Sequence, residues 1–287
     1  MKTLESNPIE RYPTYIDEIV TPYDISQAPF IDGCFNVDET DWRLANSQLT
    51  DGLDCADKYT RYTSGNEQNF IFKAAEECSV EPLSDPFASY IGNRWMGIPV
   101  ARSAPMVSRM NSRRYYLGVV SYATSITTLA GWDSGIPQDG LTEIDTTYMQ
   151  GDGVLRAWLR DHDHAWRHIV TWTGSDGVMH YYFIDYGRSC LDLRTQWNET
   201  KLLNDSVGGC FWDIEHDPDK IIEYVKCILR IPDWLINYKL MQYASSMQKY
   251  DVVNKEFYLR RAYEMSSYLI KSKRNLLHDV SNFLSAR

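Results

Sequence analysis

The chain has 287 residues, of which 44% are hydrophobic and 24% charged, and its formal net charge is −10. This composition is typical of a soluble globular protein, and a chain of this length can bury enough surface to form a core without disulfides or metals. The acidic balance argues against sequence-independent nucleic-acid binding, because such binding needs a basic surface to meet the phosphates. We therefore expect no nucleic-acid partner.

The beginning of the chain, MKTLESNPIERYPTY, lacks the apolar segment of a secretory signal, and no apolar run approaches the ~20 residues that span a bilayer. We expect no membrane span and a cytoplasmic location, with signal-less export as the open alternative. The six cysteines are scattered, with no C-x-x-C pair, which favours free thiols over disulfides or a zinc site.

Residues 1–60 are rich in Asp, Pro, Thr and Tyr and show little periodicity. We expect irregular structure there, with a few short strands. The text NFIFKAA (Asn69–Ala75) follows the turn-like YTSGNEQ and is typical of a short apolar strand.

The text SDPFASYIGNRWMGIPV predicts a helix with Ser84 or Asp85 as its N-cap and Pro86 in its first turn, where a missing N–H costs nothing. Apolar residues recur at spacings of three and four, and Gly97 is expected to end the helix before IPV resumes as a strand. A further strand is expected at RRYYLGVVSYA.

The polar span Gly131–Gly153 predicts a long loop, and GVLRAWLR after it predicts a helix. The text RHIVTWTGSDGVMHYYFIDYG predicts a hairpin in which IVTW and HYYFID are the strands and GSDG forms the tight turn.

From about residue 217 the pattern is helical to the end. Asp217 is the expected N-cap and Pro218 the first residue of a helix over DPDKIIEYVKCILR, and EFYLRRAYEMSSYLIKSKRNLLHDVSNFL predicts another helix. The predicted fold class is α+β, in two lobes, with a strand-rich part before a helical part.

The stretch RDHDHAWRH carries three of the six histidines and raises the question of what chemistry it performs. Together with Lys73 in FIFKAA and Asp185 in FIDYG, Asp163 in this stretch suggests phosphoryl transfer. That reaction needs a cation on the nucleotide phosphates, one carboxylate that holds Mg²⁺ and a second that orients the attacking hydroxyl. The predicted hairpin would bring Asp163 near Asp185.

Five pieces of text in this order resemble the HipA-like branch of atypical kinases, which is related to the phosphatidylinositol 3- and 4-kinases. They are IFKAA with SDPFASYIGNRWMGIPV, YYLGVVSY, VLRAWLRDHDHAWRHIVTW, YYFIDYGRSC, and KIIEYVKCILRIPDWLINYKL. The resemblance runs from about Asn69 to Lys273. It implies a two-lobed protein-kinase-like fold, with a nucleotide-binding lobe at residues 1–122 (residues 1–60 being an irregular extension) and a catalytic, helical lobe at residues 123–287.

The resemblance also assigns catalytic and metal-binding residues. Asp163 takes the position of the catalytic aspartate and Asp185 that of the metal-binding aspartate. His168 stands where the family has a metal-binding asparagine, and Ala165 replaces the histidine of the family's motif. Because Mg²⁺ prefers oxygen ligands, an imidazole there makes Mn²⁺ use or weakened activity an alternative.

The nucleotide side of the predicted site contains Lys73, which would meet the ATP phosphates, and Gly65, the single glycine of the loop before it. Asp85 stands where the family usually has a glutamate, and its side chain is one carbon shorter. The resemblance implies an ATP-dependent kinase that uses Mg²⁺ or Mn²⁺ and acts on the Ser or Thr hydroxyl of a protein substrate, or a small molecule or lipid headgroup.

Two alternatives remain open. The departures from the family pattern leave room for a kinase-like binding or regulatory protein with little or no activity. His162, His164 and His168 also approximate the first histidine motif of metallo-β-lactamase-like enzymes, which would make the protein a metallohydrolase.

Overall fold

A mixed, mostly antiparallel sheet is formed by six strands in the order β1-β5-β6-β4-β3-β2. The strands are β1 (Phe35–Asn36), β2 (Arg43–Asn46), β3 (Ala56–Thr63), β4 (Asn66–Ala74), β5 (Ser103–Asn111) and β6 (Arg114–Ser121). Only the pair β1–β5 is parallel among the pairs that the structure describes. Strand β4 lies between β3 and β6, so Lys73 is fixed in register opposite Ala56 on one side and Val119 on the other.

The structure is a computed structural model, and it describes part of the chain. The described residues are 33–46, 56–63, 66–75, 79–111, 114–121, 146–161, 168–173, 179–187, 189–190, 216–250 and 254–285. Of the predicted site residues, Gly65 and Asp163 lie outside these ranges, as do His162 and His164. Most of the region predicted to be irregular, residues 1–60, also lies outside them.

Helix α1 (Glu81–Ile91) begins one turn earlier than the sequence prediction, which placed the cap at Ser84 or Asp85. Pro82 occupies the first turn, where proline is tolerated, and Pro86 lies inside the helix. The two prolines are four residues apart, and the prediction chose the second. The earlier start adds Glu81 to the helix.

The end of this helix agrees with the prediction. A π-helical segment, Gly92–Met96, continues α1, and Gly97 then ends it in the left-handed conformation with φ 67°. The text after it does not form the predicted strand. Val100 instead makes an isolated parallel bridge with Phe183, because the chain passes beside the hairpin described next rather than along the sheet edge.

Helix α2 (Thr146–Leu159) includes the last eight residues of the loop predicted at Gly131–Gly153, so the prediction is wrong for them, and residues 131–145 lie outside the described residues. The prediction rested on a polar span rich in glycine, of which Gly151 is one, since glycine is a poor helix former. A Cβ at Gly151 would lie 2.6 Å from Ile98 and 2.7 Å from the ring of Tyr224, so glycine allows close helix packing here. Packing therefore outweighs propensity at this point.

The two predicted strands of the hairpin are confirmed by β7 (Ile169–Thr173) and β8 (Met179–Phe183), which pair antiparallel from Ile169 opposite Phe183 to Thr173 opposite Met179. The predicted turn GSDG lies outside the described residues. The described residues of the C-terminal part form three helices, namely α3 (Pro218–Arg230), α4 (Asp233–Met247) and α5 (Lys255–Ser285). The predicted cap of α3 is confirmed: the Asp217 carboxylate accepts from the N–H groups of Asp219 and Lys220 at 3.0 and 3.2 Å.

One buried apolar cluster joins α1, the hairpin and the four other helices. Trp158 of α2 is fully buried in it and donates its indole N–H to the Leu269 carbonyl of α5 at 3.1 Å. The Tyr243 hydroxyl of α4 donates to the Pro86 carbonyl at 3.5 Å. Helix α1 is therefore packed against the helical part of the molecule as well as against the sheet.

Within the described residues, none of the helices combines the length and the apolar composition that a bilayer crossing requires. Three of the six cysteines are described, and all three carry free thiols: Cys34, Cys190 and Cys227.

Removal of the α3 cap should lower stability. We expect Asp217→Ala to reduce the free energy of unfolding by about 1 kcal/mol, because two backbone N–H groups lose their acceptor. Asp219→Ala is the matched control, since it removes an exposed charge from the same turn without removing the cap. Urea unfolding measures both variants, and an equal loss of stability in the two would contradict the capping role.

Candidate active site

Lys73 lies between two carboxylates that come from different elements. Its Nζ is 2.7 Å from Oε1 of Glu81, in the first turn of α1, and 3.5 Å from Oδ1 of Asp185, which follows β8. The three side chains are 23%, 14% and 24% exposed, respectively, so they face a partly open site. The sheet, α1 and the hairpin therefore meet at these charges, although Lys73 and Asp185 are 112 residues apart.

A third carboxylate, Asp85, is one helical turn beyond Glu81 and is buried. Its Oδ1 accepts a hydrogen bond from the backbone N–H of Tyr186, the residue after Asp185. Glu81, Asp85 and Asp185 each offer one oxygen, and these oxygens lie within 4.8 Å of one another. Carboxylate oxygens are the ligands that Mg²⁺ and Mn²⁺ prefer, so this donor set fits a hard divalent cation.

Electrostatics keep Lys73 and Asp185 charged. Burial alone would lower the pKa of the Lys73 ammonium, but Asp185 and Glu81 outweigh it and raise that pKa above its usual value. Burial would likewise raise the pKa of Asp185, but Lys73, His168 and Arg156 hold it below its usual range. The site therefore presents an ammonium and an ionised carboxylate side by side.

Asp85 behaves in the opposite way. Burial, followed by the neighbouring charges of Asp185 and Glu81, raises the pKa of the Asp85 carboxyl well above its usual range. Lys73 and the hydrogen bond from the Tyr186 N–H lower this pKa, but their effect is too small to reverse the shift. Without a bound cation, the cluster therefore favours a protonated Asp85 beside an ionised Asp185.

His168 is buried at the start of the hairpin, and its Nε2 is 3.6 Å from Oδ2 of Asp185. The His168 carbonyl accepts from the N–H of Ile184 at 2.9 Å, which fixes it beside the strand that leads to Asp185. The imidazole thus lies on one side of the Asp185 carboxylate and the Lys73 ammonium on the other.

The structure brings together four of the residues that the sequence analysis singled out: Lys73, Asp85, His168 and Asp185. Their roles in binding nucleotide or metal stay predictions. Glu81 was not singled out, yet its Oε1 lies 2.7 Å from the Lys73 Nζ. The available signal was an acidic residue directly before Pro82, in the first turn of a helix.

Gly187 is a second residue that the sequence analysis did not name. A Cβ at this position would lie 2.3 Å from the Glu81 side chain, so any larger residue would displace the carboxylate that contacts Lys73. The sequence signal is the glycine two residues after Asp185 in IDYG.

Comparison with known proteins gives a distant structural likeness. No protein-family model matches the chain, and no curated protein matches it. The crystal structure of a Helicobacter pylori proinflammatory kinase, CtkA, is similar over 78% of this chain and 92% of that chain, with 12% sequence identity and a TM-score of 0.48.

The raised pKa of the Asp85 carboxyl makes the free energy of unfolding depend on pH. A carboxyl whose pKa is raised on folding takes up protons in the folded state, so its contribution to stability is lost as the pH rises above its unfolded pKa of about 4. Asp85→Asn removes this titration and keeps an oxygen that can accept from Tyr186. We expect the stability of Asp85→Asn relative to the wild type to increase as the pH rises above about 4.

Urea unfolding in the presence of a chelator measures this difference. Asp219→Asn, an exposed aspartate on α3, controls for the loss of one negative charge. If the stability of Asp85→Asn relative to the wild type instead falls as the pH rises, the pKa of the Asp85 carboxyl is not raised on folding.

Proposed function

We propose that the protein is an ATP- and divalent-metal-dependent phosphotransferase of the HipA-like kind, acting on Ser or Thr hydroxyls of a protein. The observation that carries the proposal is the position of the Lys73 ammonium, 2.7 Å from Glu81 and 3.5 Å from Asp185. Phosphoryl transfer proceeds largely by positioning and by electrostatic stabilisation, and it needs this pairing of a lysine with a metal-binding carboxylate.

In this proposal Lys73 binds the phosphates of ATP. Glu81 holds the ammonium at the mouth of the site by a short ion pair, so that Lys73 needs little reorganisation when the nucleotide arrives. Because Lys73 is on β4, in the middle of the sheet, its backbone is fixed by strands on both sides. The nucleotide would lie between a strand-rich lobe at residues 1–122 and a helical lobe at residues 123–287.

Asp185 would hold the divalent ion, and the oxygens of Glu81 and Asp85 are close enough to share in its coordination. The ion, when bound, supplies positive charge to the phosphates. Asp185 suits this role because Lys73 and His168 favour its ionised form. Proton release from Asp85 would accompany metal binding, since a cation favours the ionised form of a neighbouring carboxyl.

Asp163 lies outside the described residues, and its role rests on the resemblance of the surrounding text. We propose that it orients the acceptor hydroxyl. A carboxylate with a pKa near 4 is a weak base, so Asp163 would act by positioning more than by removing a proton before transfer.

A kinase-like protein with little or no activity is the second candidate, and the position of His168 favours it. Its Nε2 is 3.6 Å from the carboxylate oxygen Oδ2 of Asp185. An imidazolium there would compete with a divalent cation for the same carboxylate. Binding of nucleotide without turnover is the result expected of this candidate.

The metallohydrolase alternative has less support. Of its three histidines, only His168 is described, and it faces the carboxylate of Asp185 close to Lys73. Elemental analysis that finds one tightly held zinc per chain would favour this alternative over the kinase.

Two substitutions test the proposed function. We expect Asp163→Ala and Asp185→Ala each to abolish phosphoryl transfer from labelled ATP in the presence of Mg²⁺ or Mn²⁺. Asp185→Ala should also remove the metal-dependent part of nucleotide binding, which a thermal-shift assay detects because a ligand at 100 times its Kd adds about 2.7 kcal/mol of stability. Mass mapping locates any phosphate transferred to the protein itself.

Asp38→Ala is the control, since Asp38 is an exposed aspartate in the β1–β2 connection. Full transfer activity in both site variants would refute the proposal. Nucleotide binding that needs Asp185 in a wild-type protein without transfer activity would support the second candidate instead.

A further inference from the structure

Asp185 adopts a backbone conformation that side chains other than glycine seldom adopt. Its φ is 62°, in the left-handed region. Such a conformation is strained in a residue with a Cβ atom and persists only when surrounding groups hold it. The contacts that hold Asp185 are made by the peptide groups on both sides of it.

Arg156 of α2 holds two of these groups. Its guanidinium donates to the carbonyl of Ile184 at 2.7 Å and to the carbonyl of Asp185 at 3.0 Å. On the opposite side, Asp85 accepts from the N–H of Tyr186. The backbone around Asp185 is thus fixed from the helical part by Arg156 and from α1 by Asp85.

The guanidinium is itself firmly oriented. Arg156 is fully buried, and its Nε donates to Asp152 at 2.9 Å while Nη1 also donates to Asp161. The guanidinium lies 4.0 Å from the centre of the Tyr186 ring, whose hydroxyl donates to Asp152. A buried cation is tolerated only when such partners replace its hydration, so this network keeps Arg156 in one position.

The geometry points to Arg156 as the positioning residue for Asp185. It would hold the backbone so that the carboxylate points at Lys73 and at the divalent ion, and it would not touch the nucleotide or the ion itself. This inference rests on the proposed function, in which Asp185 binds the ion. A guanidinium is required because its planar fork reaches two carbonyls and two carboxylates at once, whereas an ammonium donates from one point.

Arg156→Lys tests the inference, because it keeps the charge that offsets Asp152 and Asp161. In the metal-free protein we expect hydrogen–deuterium exchange of the peptide that spans residues 184–187 to become about ten-fold faster. The Mn²⁺ midpoint, which is the Mn²⁺ concentration at which ATP binding reaches half of its maximum, should rise about ten-fold or more. This is the usual effect of losing a group that orients a metal ligand. Binding of ATP without metal should change by less than about two-fold, since Lys73 remains.

Arg261→Lys is the matched control. Arg261 donates to the Cys190 carbonyl at 2.9 Å and to Glu264 at 2.8 Å, so the same change removes a similar carbonyl contact a few residues beyond Asp185. We expect its Mn²⁺ midpoint to equal that of the wild type. Equal shifts in both variants would indicate a general loss of stability and would overturn the inference.

A second variant covers the case in which Arg156→Lys does not fold. Asp152→Asn weakens the hold on the guanidinium without removing it, and it should shift the Mn²⁺ midpoint in the same direction by a smaller factor. A folded variant of either kind with an unchanged midpoint and unchanged exchange overturns the inference.

Asp185→Ala distinguishes a failure of the inference about Arg156 from a failure of the proposed function. If Asp185→Ala removes metal-dependent binding and Arg156→Lys has no effect on it, only the inference about Arg156 fails. If Asp185→Ala leaves that binding intact, the proposed function fails first.

Discussion

The balance between one ammonium and three carboxylates determines the properties of the site. Two like charges about 4 Å apart repel by about 4 kcal/mol at the effective permittivity of a protein surface. Glu81, Asp85 and Asp185 are held at comparable separations, and Lys73 offsets only part of their charge. Asp185 stays ionised because of Lys73, His168 and Arg156, while burial and the repulsion from Asp185 and Glu81 raise the pKa of the Asp85 carboxyl. A divalent cation would relieve the remaining repulsion, which is why the proposed function pairs this cluster with a metal–nucleotide complex.

The fold produces this arrangement through backbone contacts between distant segments. After α1 the chain runs beside β8, where the N–H of Ala101 donates to the Phe183 carbonyl and the N–H of Phe183 donates to the Pro99 carbonyl, each at 2.8 Å. Because Asp185 follows Phe183 by two residues, the position of α1 and that of the Asp185 segment are coupled. The buried cluster that includes residues of both adds an apolar contribution to the same coupling.

The sequence predicted those parts of the fold that local patterns encode. The strand with Lys73, the two strands of the hairpin before Asp185 and the Asp217 cap follow from short apolar runs and capping chemistry, and the structure confirms each of them. The start of α1 and that of α2 could not be obtained in this way. Two prolines gave two possible first turns for α1, and Gly151 is explained only by the side chains packed against it. Glu81 was missed because the predicted helix began after it, at the second of the two prolines. The proximity of Lys73 to Asp185 was anticipated from a resemblance and not from periodicity.

A crystal structure with Mn²⁺ and a non-hydrolysable ATP analogue tests the central claim most directly, because Mn²⁺ can be located by its anomalous scattering. The account predicts Mn²⁺ about 2.2 Å from a carboxylate oxygen of Asp185 and a phosphate oxygen within hydrogen-bond distance of the Lys73 Nζ. A nucleotide bound elsewhere, or Mn²⁺ held by histidines away from Asp185, would contradict it.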